Sequence, residues 1–119
     1  MRVFVLEDDP HRLLWFHQRF YQDELTCCST AADAIKAFKG QWDLVFLDHD
    51  LGGETFVDSA RDDTGAGFVR ACADDLAQCQ AVAVHSMNQA GAMRMLAMIG
   101  EHAKWIPFPM LQASLPHAD

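Results

Sequence analysis

The sequence predicts a three-layer α/β domain: a five-stranded parallel sheet with helices on both faces. Short apolar runs at residues 3–6, 44–47 and 81–84 read as strands buried on both sides. Stretches of helical period separate them, which calls for right-handed crossovers. The residues best suited to chemistry follow directly after these runs, at the carboxyl ends where open α/β sheets hold their ligands.

The first strand is Val3 to Leu6. Asp9-Pro10 then supplies an N-cap and a proline at the first helical position. Leu13, Leu14, Phe16, Phe20 and Tyr21 recur at helical spacing. A brief second strand lies near Leu25 to Cys28. Thr30 caps a second helix with Ala34, Ile35 and Phe38 on its apolar face, and Gly40 stops it. Leu44 to Leu47 is the third strand. The loop after it, about Asp48 to Asp63, is long enough to suggest function.

Thr64-Gly65-Ala66-Gly67 opens a third helix through Phe68, Val69, Ala71, Cys72 and Leu76. Ala81 to Val84 forms the fourth strand. A fourth helix carries Ala92, Met95, Leu96 and Ile99 inward and ends at Gly100. Trp105-Ile106-Pro107-Phe108 reads as a fifth strand, with Pro107 favouring an end or edge position. The last helix is expected to be short or absent. The common strand order 2-1-3-4-5 then brings Glu7 and Asp8, Asp48 and Asp50, and His85 and Ser86 to one edge.

A chain of 119 residues, half of them hydrophobic, is one domain spanning 1–119 with a substantial core. Seventeen acids against nine Lys plus Arg give a formal charge of −8, which argues against broad binding of duplex nucleic acid. No apolar run approaches the roughly 20 residues of a bilayer span, so no membrane partner is expected. The N-terminus turns acidic too early for a signal peptide. A cytoplasmic protein is the expectation. Cys27, Cys28, Cys72 and Cys79 make no C-x-x-C and suit small buried hydrophobes in a reducing compartment.

Four carboxylates at one strand edge repel one another unless something positive sits among them. Oxygen donors with room for water suit Mg²⁺ or Mn²⁺. Asp8 and Asp48, on neighbouring strand ends, are the leading ligands, with Glu7 and Asp50 beside them; Asp9 reads as a helix cap. His49 is a ligand, a proton carrier or a hydrogen-bonded loop residue. His85 follows an apolar strand, as a proton carrier or as a satisfied core histidine. Ser86 and Asn88 stand just before a helix, where they bind an anion or cap that helix. His11, His17, His102 and His117 carry less.

The pattern Val-Phe-Val-Leu-Glu7-Asp8, then Asp43-Leu-Val-Phe-Leu-Asp48, then a strand leading to a hydroxyl residue, resembles response-regulator receiver domains with their flavodoxin-like fold. That resemblance implies Asp48 as phosphoacceptor, Glu7 and Asp8 as holders of Mg²⁺, and Ser86 as the hydroxyl that senses the phosphoryl group. Receivers end their fifth strand with Lys-Pro, whereas this chain has Phe108-Pro109. The expected cationic clamp is therefore missing, and Lys104 lies at the far end of that strand. Asp-His-Asp-Leu-Gly-Gly at 48–53, Thr64-Gly65, and His85-Ser86-x-Asn88-x-x-Gly91-Ala92-x-x-Met95, with Arg12 and Phe16, are similar to the divergent cyclic-phosphate processing receiver-like domains.

What this closer resemblance implies is a metal-dependent phosphoesterase acting on a cyclic-phosphate nucleotide or an RNA end. Asp8 and Asp48, with Glu7 or Asp50, would hold the metal, and His85 would carry the proton to the leaving oxygen. His49 would share either role. Ser86, Asn88 and backbone amides would bind non-bridging oxygens. The rival expectations are a receiver-like interaction module without chemistry and an atypical phosphoacceptor. Asp48-x-Asp50 also superficially resembles the haloacid dehalogenase nucleophile pair, but the later lysine and acids of that family are not placed here.

Overall fold

The computed structural model describes residues 1–115; His117 and the rest of the tail lie outside them. The elements alternate strictly: β1 (Arg2–Leu6), α1 (Pro10–Arg19), β2 (Glu24–Cys28), α2 (Ala31–Ala37), β3 (Leu44–Leu47), α3 (Gly65–Ala77), β4 (Val82–Val84), α4 (Gln89–Ile99), β5 (Ala103–Trp105) and α5 (Phe108–Ser114). All four strand pairings are parallel, in the order β2-β1-β3-β4-β5. This is the expected architecture. No helix among the described residues is long and apolar enough to cross a membrane.

Side chains alternate across a strand with period two. Phe4, Leu6, Val45, Leu47, Val82 and Val84 pack with α2, α3 and α4 on one face. Val3, Val5 and Phe46 pack with Trp15, Phe16, Phe20, Phe108 and Leu111 of α1, its end and α5 on the other. Fully burying one such side chain stabilises the fold by roughly 1.5–3 kcal/mol. On α1 the buried stripe is Trp15, Phe16 and Phe20, while Leu14 and Tyr21 are exposed. Ile35 of α2 is also exposed, and Ala34 and Phe38 do the packing.

The helix starts follow their caps. Asp9 Oδ2 accepts from Arg12 N at 3.1 Å, Thr30 Oγ1 from Asp33 N at 3.1 Å, Thr64 Oγ1 from Gly67 N at 3.1 Å and Asn88 Oδ1 from Gly91 N at 3.0 Å. Each satisfies a donor the helix leaves orphaned.

The fifth strand is displaced from its expected place. It runs Ala103–Trp105, and Pro107-Phe108-Pro109 opens the seven-residue α5 instead of continuing the sheet. Prolines are tolerated in the first helical turn, where N–H groups are unpaired anyway, but not in a ladder. The apolar pair Trp105-Ile106 concealed that boundary.

Candidate functional site

The sheet ladder runs one residue past each assigned strand end. Glu7 N donates to Cys28 O at 3.0 Å, Asp48 N to Leu6 O at 2.9 Å and His85 N to Leu47 O at 2.9 Å. The period-two alternation therefore still governs these positions. Glu7, Asp48 and His85 continue the rows that face α1 and α5, whereas Asp8, His49 and Ser86 start the opposite side. Six edge residues are sorted into two groups by parity alone.

The first group is tight. Ligand atoms of Glu7, Asp48 and His85 all lie within 4.8 Å of one another. His85 Nε2 donates to Glu7 Oε1 at 2.9 Å, and both side chains are fully buried. Glu7 Oε2 accepts the backbone N–H groups of Asp8 and Asp9 at 3.0 and 3.1 Å. Asp48 Oδ1 accepts from His49 N at 2.8 Å. The His85 ring packs against Phe16 and Phe108, and its Nδ1 is buried without a partner.

Burial sets the proton inventory. Removal from water, then the neighbouring Glu7 charge, pushes the Asp48 carboxyl up to about 7. Burial likewise raises the Glu7 carboxyl, against the pull of its hydrogen bonds and of Arg12. Burial drops His85 to about 4, so its imidazole is neutral at pH 7 and its contact with Glu7 is a hydrogen bond, not an ion pair.

One cation serves this group. The Arg12 guanidinium reaches in from α1, 3.6 Å from Glu7 Oε1 and 3.8 Å from Asp48 Oδ2, over the Phe108 ring at 5.2 Å. The fifth strand does not end in the lysine of receivers, as expected, and the cation comes from α1 instead. Arg12 belongs to the motif resemblance, which assigns it no role; it stands three residues after the Asp9 cap, one turn into α1. One guanidinium faces two buried carboxyls. The surplus acid keeps its proton to near neutrality, the state expected of a donor set short of positive charge.

The second group forms a clamp. His49 is fully buried, with Nδ1 against Asp50 Oδ1 and Nε2 against Ser59 Oγ, both at 2.8 Å. Asn88 Nδ2 donates to Asp50 Oδ1 at 3.1 Å, while Phe56 N and Val57 N donate to Asp50 at 2.6 and 3.2 Å. Against the upward push of partial burial, these bonds hold the Asp50 carboxyl below its ordinary range. Ser86 Oγ accepts from Asn88 N at 3.0 Å. Two glycines let the clamp close. A Cβ on Gly91 would sit 2.5 Å from the His49 ring, and one on Gly65 only 1.9 Å from Asp48 O.

Asp50, His49, Ser86 and Asn88 are therefore beside the Glu7–Asp48–His85 group, not within it, and their polar atoms have intramolecular partners. Asp8 is partly exposed, accepts from Gly53 N at 2.9 Å, and lines a cleft of about 600 Å³ with Thr30, Ile35, Leu51 and Gly52. Asp8 is the partly exposed acid of the edge, on the opposite side from Asp48, which is buried beside Glu7 and His85. A hard divalent cation fits the two oxygen donors of the close group, Glu7 and Asp48, since Asp48 lacks a full counter-charge.

The fold is shared with solved receiver domains. The signal receiver domain of a Luxo repressor protein from Vibrio parahaemolyticus is 18% identical with a TM-score of 0.60, covering 95% of this chain and 85% of that one. A CheY-like response regulator receiver domain protein from Methanospirillum hungatei JF-1 is 15% identical with a TM-score of 0.61, covering 95% and 88%. Full-length ShkA, solved with AMPPNP, aligns over 96% of this chain and 23% of its own at 19% identity and a TM-score of 0.61. No curated protein matches. The profile of the Cyclic-phosphate processing Receiver domain matches residues 1–101, and the chain belongs to that family.

Proposed function

We propose that this domain is a divalent-metal-dependent phosphoesterase acting on cyclic phosphates at the carboxyl edge of its sheet. The observation that carries the reading is Asp48, a strand-end carboxyl held near neutrality beside Glu7 and His85 with one guanidinium between two acids. Glu7 and Asp48 would hold Mg²⁺ or Mn²⁺. When bound, that ion supplies Lewis-acid polarisation of a phosphate oxygen and a water of lowered pKa.

The remaining work falls to the chain. Glu7 fixes the start of α1 through two backbone bonds and holds His85 in one tautomer. Behind the edge, the Glu7–Asp48–His85 array fixes where the Asp48 carboxyl points. His85 acts within that array as a positioning residue, because its ring is fully buried. Asp50, His49, Asn88 and Ser86 keep the loop after β3 from collapsing onto the edge. A cyclic-phosphate nucleotide or an RNA end is the substrate class, following the family's name.

The test follows hydrolysis of cytidine 2′,3′-cyclic phosphate by ³¹P NMR with Mg²⁺ or Mn²⁺. Turnover by the native protein that disappears in Asp48→Ala is the expected result. His85→Ala is expected to lose on the order of 10²–10⁴-fold in rate with an altered acid limb of the pH profile, while still binding metal. Absence of turnover by the native protein contradicts the reading.

One observation favours a second reading, a receiver-like module without chemistry: His85 and His49 are both fully buried. That reading expects no turnover and partner binding insensitive to Asp48→Ala. Stable labelling of Asp48 by an acyl-phosphate donor would instead favour a phosphoacceptor.

A further inference from the structure

Two arginines of this molecule, both close to the loop after β3, commit their donors. Arg61 gives three hydrogen bonds at 2.6–2.9 Å to Asp63 and Glu54. Arg70 gives three to the carbonyls of Ser59, Ala60 and Arg61. Arg12 differs. Its nearest acidic oxygens lie 3.6, 3.8 and 4.0 Å away, on Glu7, Asp48 and Asp9, all beyond hydrogen-bond reach.

A guanidinium whose only task is to neutralise a carboxylate closes to about 2.7–2.9 Å and binds it with two parallel N–H bonds. This one is held by charge and by the face of Phe108, with its N–H fork unfilled and its side chain 27% exposed. Asn88 Nδ2 is committed to Asp50, and Ser86 Oγ is buried and accepts from Asn88 N. The planar fork of Arg12 is the charged, partly exposed donor at this edge, open to a tetrahedral oxyanion.

We propose that Arg12 is the phosphate-binding residue of this edge, taking two non-bridging oxygens of a phosphate ester bound beside Asp48. The proposal rests on the functional reading above and names the residue that reading lacks. It also accounts for a cation reaching two acids without bonding either.

The test is binding of inorganic phosphate and of cytidine 2′,3′-cyclic phosphate, measured by calorimetry with Mg²⁺ present. Native protein is compared with Arg12→Gln and Arg12→Lys, and urea melts check folding. Arg12→Gln is expected to weaken both ligands by at least about tenfold, and Arg12→Lys to recover only part, because lysine restores charge without the fork. Should Arg12→Gln not fold, Arg12→Lys decides: a clear loss of affinity in a folded protein supports the proposal, and native affinity overturns it. Native binding unchanged in Arg12→Gln overturns the Arg12 assignment and leaves the phosphoesterase reading standing. A native protein that binds neither ligand overturns both.

Discussion

His85 donates a hydrogen bond to Glu7 across 2.9 Å, and neither side chain reaches solvent. The pair joins the end of β4 to the start of α1 across the intervening β3. Removing the imidazole leaves a buried carboxyl without that partner, in a cavity between Phe16 and Phe108. His85→Ala should destabilise the fold by about 2–4 kcal/mol, read from urea melts. A loss under 1 kcal/mol would show that the pair contributes little.

Stability against pH should show two opposed slopes. Asp48 is raised from 3.8 to about 7, so the folded state binds more protons between those values and stability falls as pH rises through that window. His85 is lowered from 6.5 to about 4, so the folded state binds fewer protons there and stability rises with pH. The raised Glu7 carboxyl adds to the Asp48 slope, so the native protein without metal should not gain stability between pH 4 and 6.5. Asp48→Asn removes the Asp48 slope, so its stability should rise relative to the native protein by on the order of 3 kcal/mol across that window. A variant whose profile parallels the native protein would contradict the assignment.

Asp48→Asn should also be more stable than the native protein at pH 8 without metal, because it removes a carboxylate that is costly to ionise. Millimolar Mg²⁺ or Mn²⁺ should raise the native melting temperature and leave the variant unmoved. Equal responses to metal in both proteins would place the ion elsewhere.

Most of the fold was legible because its signals are local. Asp9-Pro10, Thr30, Thr64 and Asn88 mark helix starts whatever packs against them, and all four caps form. The end of the chain was less so, since Trp105-Ile106 has the composition of a strand and only the flanking backbone shows where the ladder stops. Leu14, Tyr21 and Ile35 are apolar yet exposed, and periodicity alone does not distinguish them from Trp15. At the site, position at a strand end places Glu7, Asp48 and His85 at one edge, where the structure brings their ligand atoms within 4.8 Å of one another. What it lacked was parity: Glu7, not Asp8, shares a face with Asp48 and His85. Arg12 approaches from a helix, a relation no strand motif encodes.

The motif residues after β3 make a mechanical prediction of their own. Gly91→Ala would force a Cβ to 2.5 Å from the His49 ring, which is enclosed and has no flexible end to move aside. A loss of about 1–3 kcal/mol is expected, with more for Gly65→Ala, whose Cβ meets backbone. Gly53→Ala meets nothing but has a φ of 76°, so backbone strain of roughly 1 kcal/mol sets its cost. Denaturant midpoints for the three variants check that ranking.

Asp50→Ala removes the acceptor of Phe56 N and Val57 N. Hydrogen exchange at those two amides should accelerate by at least tenfold, while the amide of Asp48, bonded to Leu6 O in the sheet, stays protected. Unchanged exchange at both loop amides would mean that the clamp does not hold the loop.

The central claim is that Asp48 and Glu7 hold a divalent cation at which a cyclic phosphate binds. Crystals soaked with Mn²⁺ and a nucleoside 2′,3′-cyclic phosphate, measured for anomalous scattering, test it most directly. The account predicts a manganese peak in contact with the Asp48 and Glu7 carboxylates and phosphate density beside it. An edge without manganese at saturating concentration, with Arg12 still lodged between Glu7 and Asp48, would contradict it.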